Sequence, residues 1–359
     1  MVVSVYIHIP FCDSICSYCD FTKMYYNEDT VLSYLSALEK EIKTKYQNEL
    51  VSTIYIGGGT PSSLSIEALK KLMKILDIFN KGKNCEITFE CNLDVTLEKL
   101  EIIKKTVNRL SIGVQTFNQE LLKYLNRSYI DPFSKLEEIK SMGFNNINID
   151  LIYAIPKETL EDVKKDLENF LKLGVNHIST YSLIIEDNTV LGINKTKSID
   201  EDLDYEMYKL ICKTLTDNDF SHYEISNFAK EGYSSKHNLT YWNNDCYYGF
   251  GLGASGYLDG VRYTNTKSIN HYFSGKYIYE KEELTNWDKM SYEMILGLRK
   301  LEGVSLIKFK EKYQKDLQDV FDINELINEK KLIIKDDYIF INPKYLYVSN
   351  EILLSFIKE

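Results

Sequence analysis

Up to about residue 185, short apolar runs alternate with amphipathic stretches, and this alternation narrows the fold more than any other feature. The runs are "VSVYIHI", "STIYIGG", "EITFEC", "RLSIGVQ", "INIDLIY" and "HISTYSLI". Each is rich in β-branched or aromatic residues and has the length of a buried strand. Between them lie "VLSYLSALEKEIKTKY", "SIEALKKLMKILDIF", "TLEKLEIIKK", "PFSKLEEIKSMG" and "TLEDVKKDLENFLKLG", where Leu and Ile recur at three- and four-residue steps. Gly143 and Gly174 fall where a helix C-cap is expected. Strands separated by helices imply a parallel sheet with right-handed crossovers, either an open doubly wound sheet or a barrel.

The positions of the chemically distinctive residues favour the barrel. No G-x-G-x-x-G follows the first strand, which weighs against a dinucleotide fold. A cysteine cluster follows strand one, "GGGTP" follows strand two, Glu90 ends strand three, Gln115 follows strand four and Asp150 lies within strand five. A parallel β/α barrel assembles its site from those strand ends. The expectation is therefore an α/β fold built on a partial (β/α)6 TIM-like barrel over residues 1–185. Residues 186–285 carry more Asn, Tyr and Gly and form an extension. Residues 286–359 read as helices, two short strands and a last helix, a small α+β unit like a winged helix.

The net charge of −10 argues against a nucleic-acid partner, which calls for a basic face. No run approaches about 18 uninterrupted apolar residues, so no membrane span is expected. "MVVSVYIHIP" has no basic segment or small-residue cleavage site of a signal peptide. The seven cysteines are an odd number in a long chain, which fits cytoplasmic thiols better than a disulfide framework.

Three of those cysteines, Cys12, Cys16 and Cys19, share the segment "FCDSICSYCDF" with the spacing C-x3-C-x2-C. A structural zinc site needs a fourth ligand, usually from a second pair, and none is nearby. A redox C-x-x-C would not need Cys12. Three thiolates on one tight loop suit a [4Fe–4S] cluster whose fourth iron has no protein ligand. This pattern after a first strand, with Tyr18 just before the last Cys, resembles the radical S-adenosylmethionine (SAM) superfamily. The resemblance implies that SAM chelates the open iron through its amino and carboxylate groups. It also implies that an electron from the cluster can cleave the sulfonium to a 5′-deoxyadenosyl radical.

Further positions match the SAM contacts of that superfamily. "GGGTP", from Gly57 to Pro61, resembles its SAM-amino-group motif, with Gly58, Gly59 and Thr60 at its centre. Glycines there allow close backbone approach to a ligand. Glu90 in "TFECN" ends an apolar strand, where a carboxylate needs a partner. The resemblance assigns it to SAM hydroxyl or amino contacts. Gln115 in "IGVQTF", Arg127 in "LNRSY", Asp150 in "NIDLIY" and Tyr6 in "YIHIPFC" match further polar contacts. Arg127 offers a planar cation for a carboxylate, and Asp150 suits a ribose hydroxyl.

"YIHIPFC", "IYIGGGTPS", "SIGVQTF" and "IYAIP" together resemble the oxygen-independent coproporphyrinogen III dehydrogenase family over nearly the whole chain. Its dehydrogenase branch carries a fourth Cys two residues after the third, where this chain has Phe21, and a segment ahead of the first strand. The heme-chaperone branch, HemW, carries H-N-x-x-Y-W, and this chain reads "HNLTYW" with His237, Asn238, Tyr241 and Trp242. Imidazole is a common ligand of heme iron, and aromatic neighbours suit a flat macrocycle. The resemblance to that branch implies a cytoplasmic carrier of cluster, SAM and heme. Acceptor hemoproteins, including respiratory-chain components at the membrane, are its implied partners. The rival expectation is radical decarboxylation of coproporphyrinogen III. His8 is expected near the cluster, and His177, His222 and His271 are expected to be structural.

Overall fold

The structure, a computed structural model, describes residues 2–358. Six strands run parallel in chain order: β1 (Val2–Ile9), β2 (Leu50–Gly58), β3 (Lys81–Asn92), β4 (Arg109–Gln115), β5 (Ile147–Tyr153) and β6 (His177–Ser182). After β6 a hairpin of β7 (Ser221–Glu224) and β8 (Asn227–Ala229) lays β8 antiparallel on β6. A further strand, β9 (Tyr247–Phe250), pairs parallel with the free side of β1. From it an antiparallel run continues through β10 (Ser255–Leu258), β11 (Val261–Asn265) and β12 (Ile278–Glu283). The order is β12-β11-β10-β9-β1-β2-β3-β4-β5-β6-β8-β7, and among the described residues its two edges do not meet. This is a partial barrel around the six expected strands. The seventh parallel strand, β9, was not expected, because "YYGF" is too short to stand out among the Tyr, Asn and Gly around it.

Each crossover helix is held by local signals. In the helix Leu160–Leu173, Thr159 and Asp162 form a reciprocal capping box, and Gly174 closes the helix with φ 59°. Its Val163, Leu167 and Phe170 pack into the main core. Burying each such side chain contributes about 1.5–3 kcal/mol. Along the strands, one face feeds this core: Val3, Val5, Ile7 and Ile9 of β1, Ile54 and Ile56 of β2, Leu110 and Ile112 of β4. The alternate residues are polar and pair with one another. His177, which is fully buried, bonds Asn148 Oδ1 at 2.6 Å and the Tyr223 hydroxyl at 2.7 Å. That satisfied position is the structural role expected of it.

The C-terminal residues form a second core of Met290, Met294, Leu298, Phe309, Phe321, Ile339 and Phe356. Helices Asn286–Gly297, Leu306–Tyr313, Leu317–Val320, Asn324–Asn328 and Ser349–Leu354 surround a small antiparallel sheet. It contains β13 (Val304–Ser305), β14 (Leu332–Lys335) and β15 (Tyr338–Ile341) in the order β13-β15-β14. The expected two strands gain a third from two residues that carry no strand signal of their own. This unit abuts the edge strand β7: the Ile225 amide donates to Arg299 O at 3.1 Å, and the Leu301 amide donates to Tyr223 O at 3.2 Å.

Candidate functional site: a thiol loop over a polar barrel mouth

At the C-terminal ends of the parallel strands lies a cavity of about 520 Å³. Cys12, Cys16, Cys19, Tyr18, Gly58, Gly59, Thr60, Glu90, Gln115, Arg127 and Asp150 all line it. The parallel sheet therefore brings together residues spread over about 140 positions of sequence.

The cysteine loop is anchored at both ends. Phe11–Cys12 pairs in parallel with Met24–Tyr25; the Met24 amide donates to Pro10 O at 2.7 Å and the Tyr26 amide to Cys12 O at 2.9 Å. In between, the Ser17 amide donates to Leu125 O at 3.1 Å, and Asn126 Nδ2 donates to Ile15 O at 2.8 Å. Lys23 donates its ammonium protons to the Cys19 and Phe21 carbonyls. All seven cysteines are free thiols. Burial pushes the Cys12 thiol up to about 11, and the Thr60 hydroxyl, 3.6 Å from its sulfur, pulls in the opposite sense. Among the described residues no three His, Cys, Asp or Glu side chains are closed up at metal-ligating distance. The donor set still fits an iron–sulfur cluster: three free thiols share one loop on one wall of a cavity large enough for a second ligand.

Beneath the loop, "GGGTP" makes the turn after β2. Gly59 and Thr60 donate their amides to Ile9 O and Phe11 O, both at 2.8 Å, which ties the turn to the thiol loop. Gly58 has φ 116°, and a Cβ there would come 2.4 Å from the His8 ring. Only glycine satisfies both demands. A Cβ on Gly57 would come 2.7 Å from the Glu90 carboxyl. His8 itself is buried, bonded to the Tyr6 hydroxyl at 2.9 Å and to Thr22 O at 2.7 Å. It therefore supports the loop from below. Tyr6 lies one layer beneath the cavity wall, through this bond.

The strand-end polar groups form the floor and far wall. Glu90 accepts from the Tyr55 hydroxyl at 2.7 Å and from the Gly58 amide at 3.0 Å. Burial raises its carboxyl to about 7, Tyr55 and Gly58 draw it down, and nearby Asp150 adds to the rise. Asp150 accepts from Asn148 Nδ2 at 2.8 Å and from Ser111 Oγ at 3.3 Å, and burial raises it as well. Gln115 sits at φ 68°, a conformation that costs a non-glycine residue about 1–3 kcal/mol and that recurs at ligand sites. Arg127 spans the site. Its Nη2 donates to Asn92 Oδ1 at 2.8 Å and Gly113 O at 3.1 Å, and its Nη1 donates to Cys16 Sγ and to the Tyr18 hydroxyl, both at 3.5 Å.

The "HNLTYW" segment is the helix Lys236–Trp242, outside the cavity lining. His237 is 1% exposed. Its Nδ1 lies 2.7 Å from Thr53 Oγ1 and its Nε2 lies 2.8 Å from the Tyr241 hydroxyl. Asn238, Tyr241 and Trp242 are half-buried, and the Arg299 guanidinium stands 5.6 Å from the Trp242 ring. Phe21 is 66% exposed on the cavity rim.

Three further site residues, Tyr55, Asn92 and Lys23, are absent from the expectations above. The first two had a legible signal: Tyr55 is two residues before Gly57, and Asn92 two after Glu90, so period-two alternation puts each on the site's face.

Comparison with known proteins agrees with this geometry. The Radical SAM superfamily matches residues 6–170, and the HemN C-terminal domain matches residues 284–345. Such a domain implies a [4Fe–4S] cluster and SAM. Heme chaperone HemW of Lactococcus lactis subsp. lactis (strain IL1403) is 41% identical over 371 aligned residues, covering 99% of this chain and 97% of that protein. Heme chaperone HemW of Bacillus subtilis (strain 168) is 40% identical over 376, covering 99% of each. That of Escherichia coli (strain K12) is 33% identical over 323, covering 86% of this chain and 85% of that protein. The solved structure of coproporphyrinogen III oxidase (HemN) from Escherichia coli superposes with a TM-score of 0.88 at 22% identity, covering 99% of this chain and 89% of that one, a likeness of fold. With a thiol triad over GGGTP on a partial barrel, and relatives alike from end to end, the chain belongs to the HemW family of the radical SAM superfamily.

Proposed function

We propose that this protein is a heme chaperone that carries a [4Fe–4S] cluster and SAM and passes heme to acceptor hemoproteins. The observation that carries the reading is end-to-end identity of 40–41% to curated relatives named heme chaperone HemW. Phe21, in place of a fourth cysteine on the cavity rim, points the same way.

Cys12, Cys16 and Cys19 are the proposed cluster ligands. When bound, the cluster supplies a reducing electron and an open iron for SAM. The chain's own groups then orient the ligand. Glu90, held by Tyr55 and Gly58, faces the cavity as an acceptor. Gln115 and Asp150 offer further polar contacts, and Tyr6 acts from outside the cavity lining through its bond to His8. Arg127 places a cation beside Cys16, where a carboxylate would be received. Heme uptake is proposed around the HNLTYW helix, where Asn238, Tyr241 and Trp242 are half-buried. We further propose a division of labour between residues 1–185 (cluster and SAM), 186–285 (the HNLTYW extension) and 286–359. A cytoplasmic location fits seven cysteines of which none is in a disulfide. Among the described residues no helix is long and apolar enough to cross a membrane, so respiratory-chain acceptors would be met at the membrane surface.

The test pairs a heme titration with a coproporphyrinogen III assay on the anaerobically reconstituted protein. Stoichiometric heme binding without turnover supports the chaperone. Conversion of coproporphyrinogen III to protoporphyrinogen IX would replace this reading with the dehydrogenase.

A further inference from the structure

The HNLTYW histidine lies deep in the barrel, and its contacts run toward the SAM pocket. Thr53 Oγ1 donates to Ser4 Oγ at 2.8 Å, so toward His237 Nδ1, 2.7 Å away, it acts as acceptor. The proton is therefore on Nδ1. The Nε2 lone pair accepts from the Tyr241 hydroxyl at 2.8 Å. Burial and the Arg109 charge hold the imidazole down to about 3, which keeps it neutral in this role. The lone pair that would ligate iron is thus already engaged, on a side chain with almost no exposed surface.

The face of the ring does something else. It stacks on Tyr55, with centroids 5.1 Å apart and planes 30° apart. Tyr55 in turn donates to Glu90 Oε1 at 2.7 Å, and Glu90 Oε2 receives the Gly58 amide at 3.0 Å. The helix start is pinned too: the His237 amide donates to Glu86 Oε1, one inward position below Thr88 on the same strand as Glu90. Remove the imidazole, and the Tyr55 ring loses its stacked partner and keeps only the looser Tyr6 ring, with centroids 6.2 Å apart. The phenol then no longer meets Glu90 at one geometry, and Glu90 no longer holds the Gly58 turn.

We propose that His237 is a positioning residue for the SAM pocket, acting through the Tyr55 ring on Glu90 and the GGGTP turn. This rests on SAM binding at that turn. It assigns the HNLTYW motif a function at a site its own helix does not line, and it makes the motif part of the SAM apparatus whether or not heme also docks nearby. Its side chain is spent on Thr53, Tyr241 and Tyr55 rather than offered to iron.

The experiment compares wild type, His237→Ala, His237→Gln, Tyr55→Phe and the His237→Ala/Tyr55→Phe pair, all full-length and reconstituted. SAM affinity, the EPR spectrum of the reduced cluster with and without SAM, iron content and the Soret band on heme titration are read on each. We expect His237→Ala and Tyr55→Phe each to weaken SAM roughly tenfold, the scale of one lost hydrogen-bonded contact. Both should also reduce the SAM-induced change in the EPR signal while iron content stays at the wild-type level. The double variant should be no weaker than the worse single one, because both act through one contact chain. His237→Gln, which can still reach Thr53 or Tyr241 but offers no aromatic face, should resemble His237→Ala. Tyr55→Phe keeps the ring and the fold, so it carries the test if His237→Ala folds poorly. Wild-type SAM affinity in both His237 variants, with the Soret band lost, would overturn the inference in favour of direct iron ligation. If wild type itself shows no SAM effect on the cluster, the SAM reading beneath the inference fails instead.

Discussion

Glu90 Oε2 accepts the Gly58 amide proton at 3.0 Å, so the carboxylate that ends one strand fixes the glycine turn that ends its neighbour. The same carboxyl faces the cavity with a value raised to about 7, chiefly by burial.

That value makes SAM binding pH-dependent. The ionised carboxyl is the form that accepts from an ammonium or a ribose hydroxyl, and its fraction grows as pH rises through about 7. SAM affinity should therefore increase between pH 6 and 8, with proton release on binding below pH 7. Asp150, raised by burial, lines the same cavity, and Arg127 and the Tyr6 and Tyr55 phenols, all raised, keep one charge state across this range. Glu90→Gln separates the two carboxyls by flattening the part due to Glu90. Calorimetric titrations in buffers of different ionisation enthalpy measure it. A wild-type affinity level across this range would show that the carboxyl is already ionised.

The ligand assignment predicts a division among the cysteines. Reconstituted wild type should hold about four irons, the content of one cluster of the inferred type. Ala at Cys12, Cys16 or Cys19 should abolish the brown chromophore. Ala at Cys85, Cys212 or Cys246, none of which lines the cavity, should leave it intact. Cys91 touches the cavity wall, yet it belongs to the apolar core and is 3% exposed. Cys91→Ala should cost about 1 kcal/mol of stability from lost packing and keep the iron. Iron lost from any of these last four variants would move the ligand set.

Arg127 serves two sides at once, and that requires its planar fork. One nitrogen holds Asn92 and Gly113, and the other faces Cys16 and Tyr18. Burial would weaken the charge, but Tyr18 and Cys16 beside it more than restore it. A lysine is a point charge and can satisfy one side at a time. Arg127→Lys should accordingly bind SAM at least severalfold more weakly, and Arg127→Ala more weakly still. Equal affinities for the Lys variant and wild type would reduce Arg127 to a structural charge.

The strand-end residues were legible because each site position ends an apolar run, and a parallel sheet gathers such ends on one side. GGGTP was legible for its glycines, and their reason is now visible in the His8 ring and the Glu90 carboxyl. Lys23 was not, since one of many lysines carries no mark of its own. The polar lining of the barrel, including buried Arg109, was also hidden, because the apolar face of each strand dominates its pattern. His237 was legible as a motif, but a sequence shows only that an imidazole is present and not that Thr53 and Tyr241 stand at its two nitrogens.

Glu158 offers a prediction independent of the site. It follows β5 in "IPKET", is 3% exposed, and lies with Asp166 against a small cavity between the sheet and the helix Leu160–Leu173. Oε2 accepts the Ile155 amide at 3.0 Å, while Oε1 has no partner. Burial raises the carboxyl from the ordinary 4.5 to about 8, and the nearby Asp166 and Asp162 push in the same sense. Asp166, also raised, reaches about 6. The folded protein therefore keeps a proton on Glu158 that the unfolded chain releases above about 4.5. This contribution to stability is complete below that pH and is lost as pH climbs through about 8. Across the window it amounts to a few kcal/mol at most, because each tenfold difference in proton affinity between folded and unfolded chain corresponds to about 1.4 kcal/mol. Glu158→Gln keeps an acceptor for the Ile155 amide and cannot ionise. The fall in urea midpoint between pH 5 and 9 should be larger for wild type than for the variant, which keeps only the slopes left by Asp166 below about 6 and by Glu90 and Glu224 below about 7. The variant should be the more stable protein at pH 9. Parallel curves for the two proteins would mean that Glu158 ionises in the folded state as readily as in water.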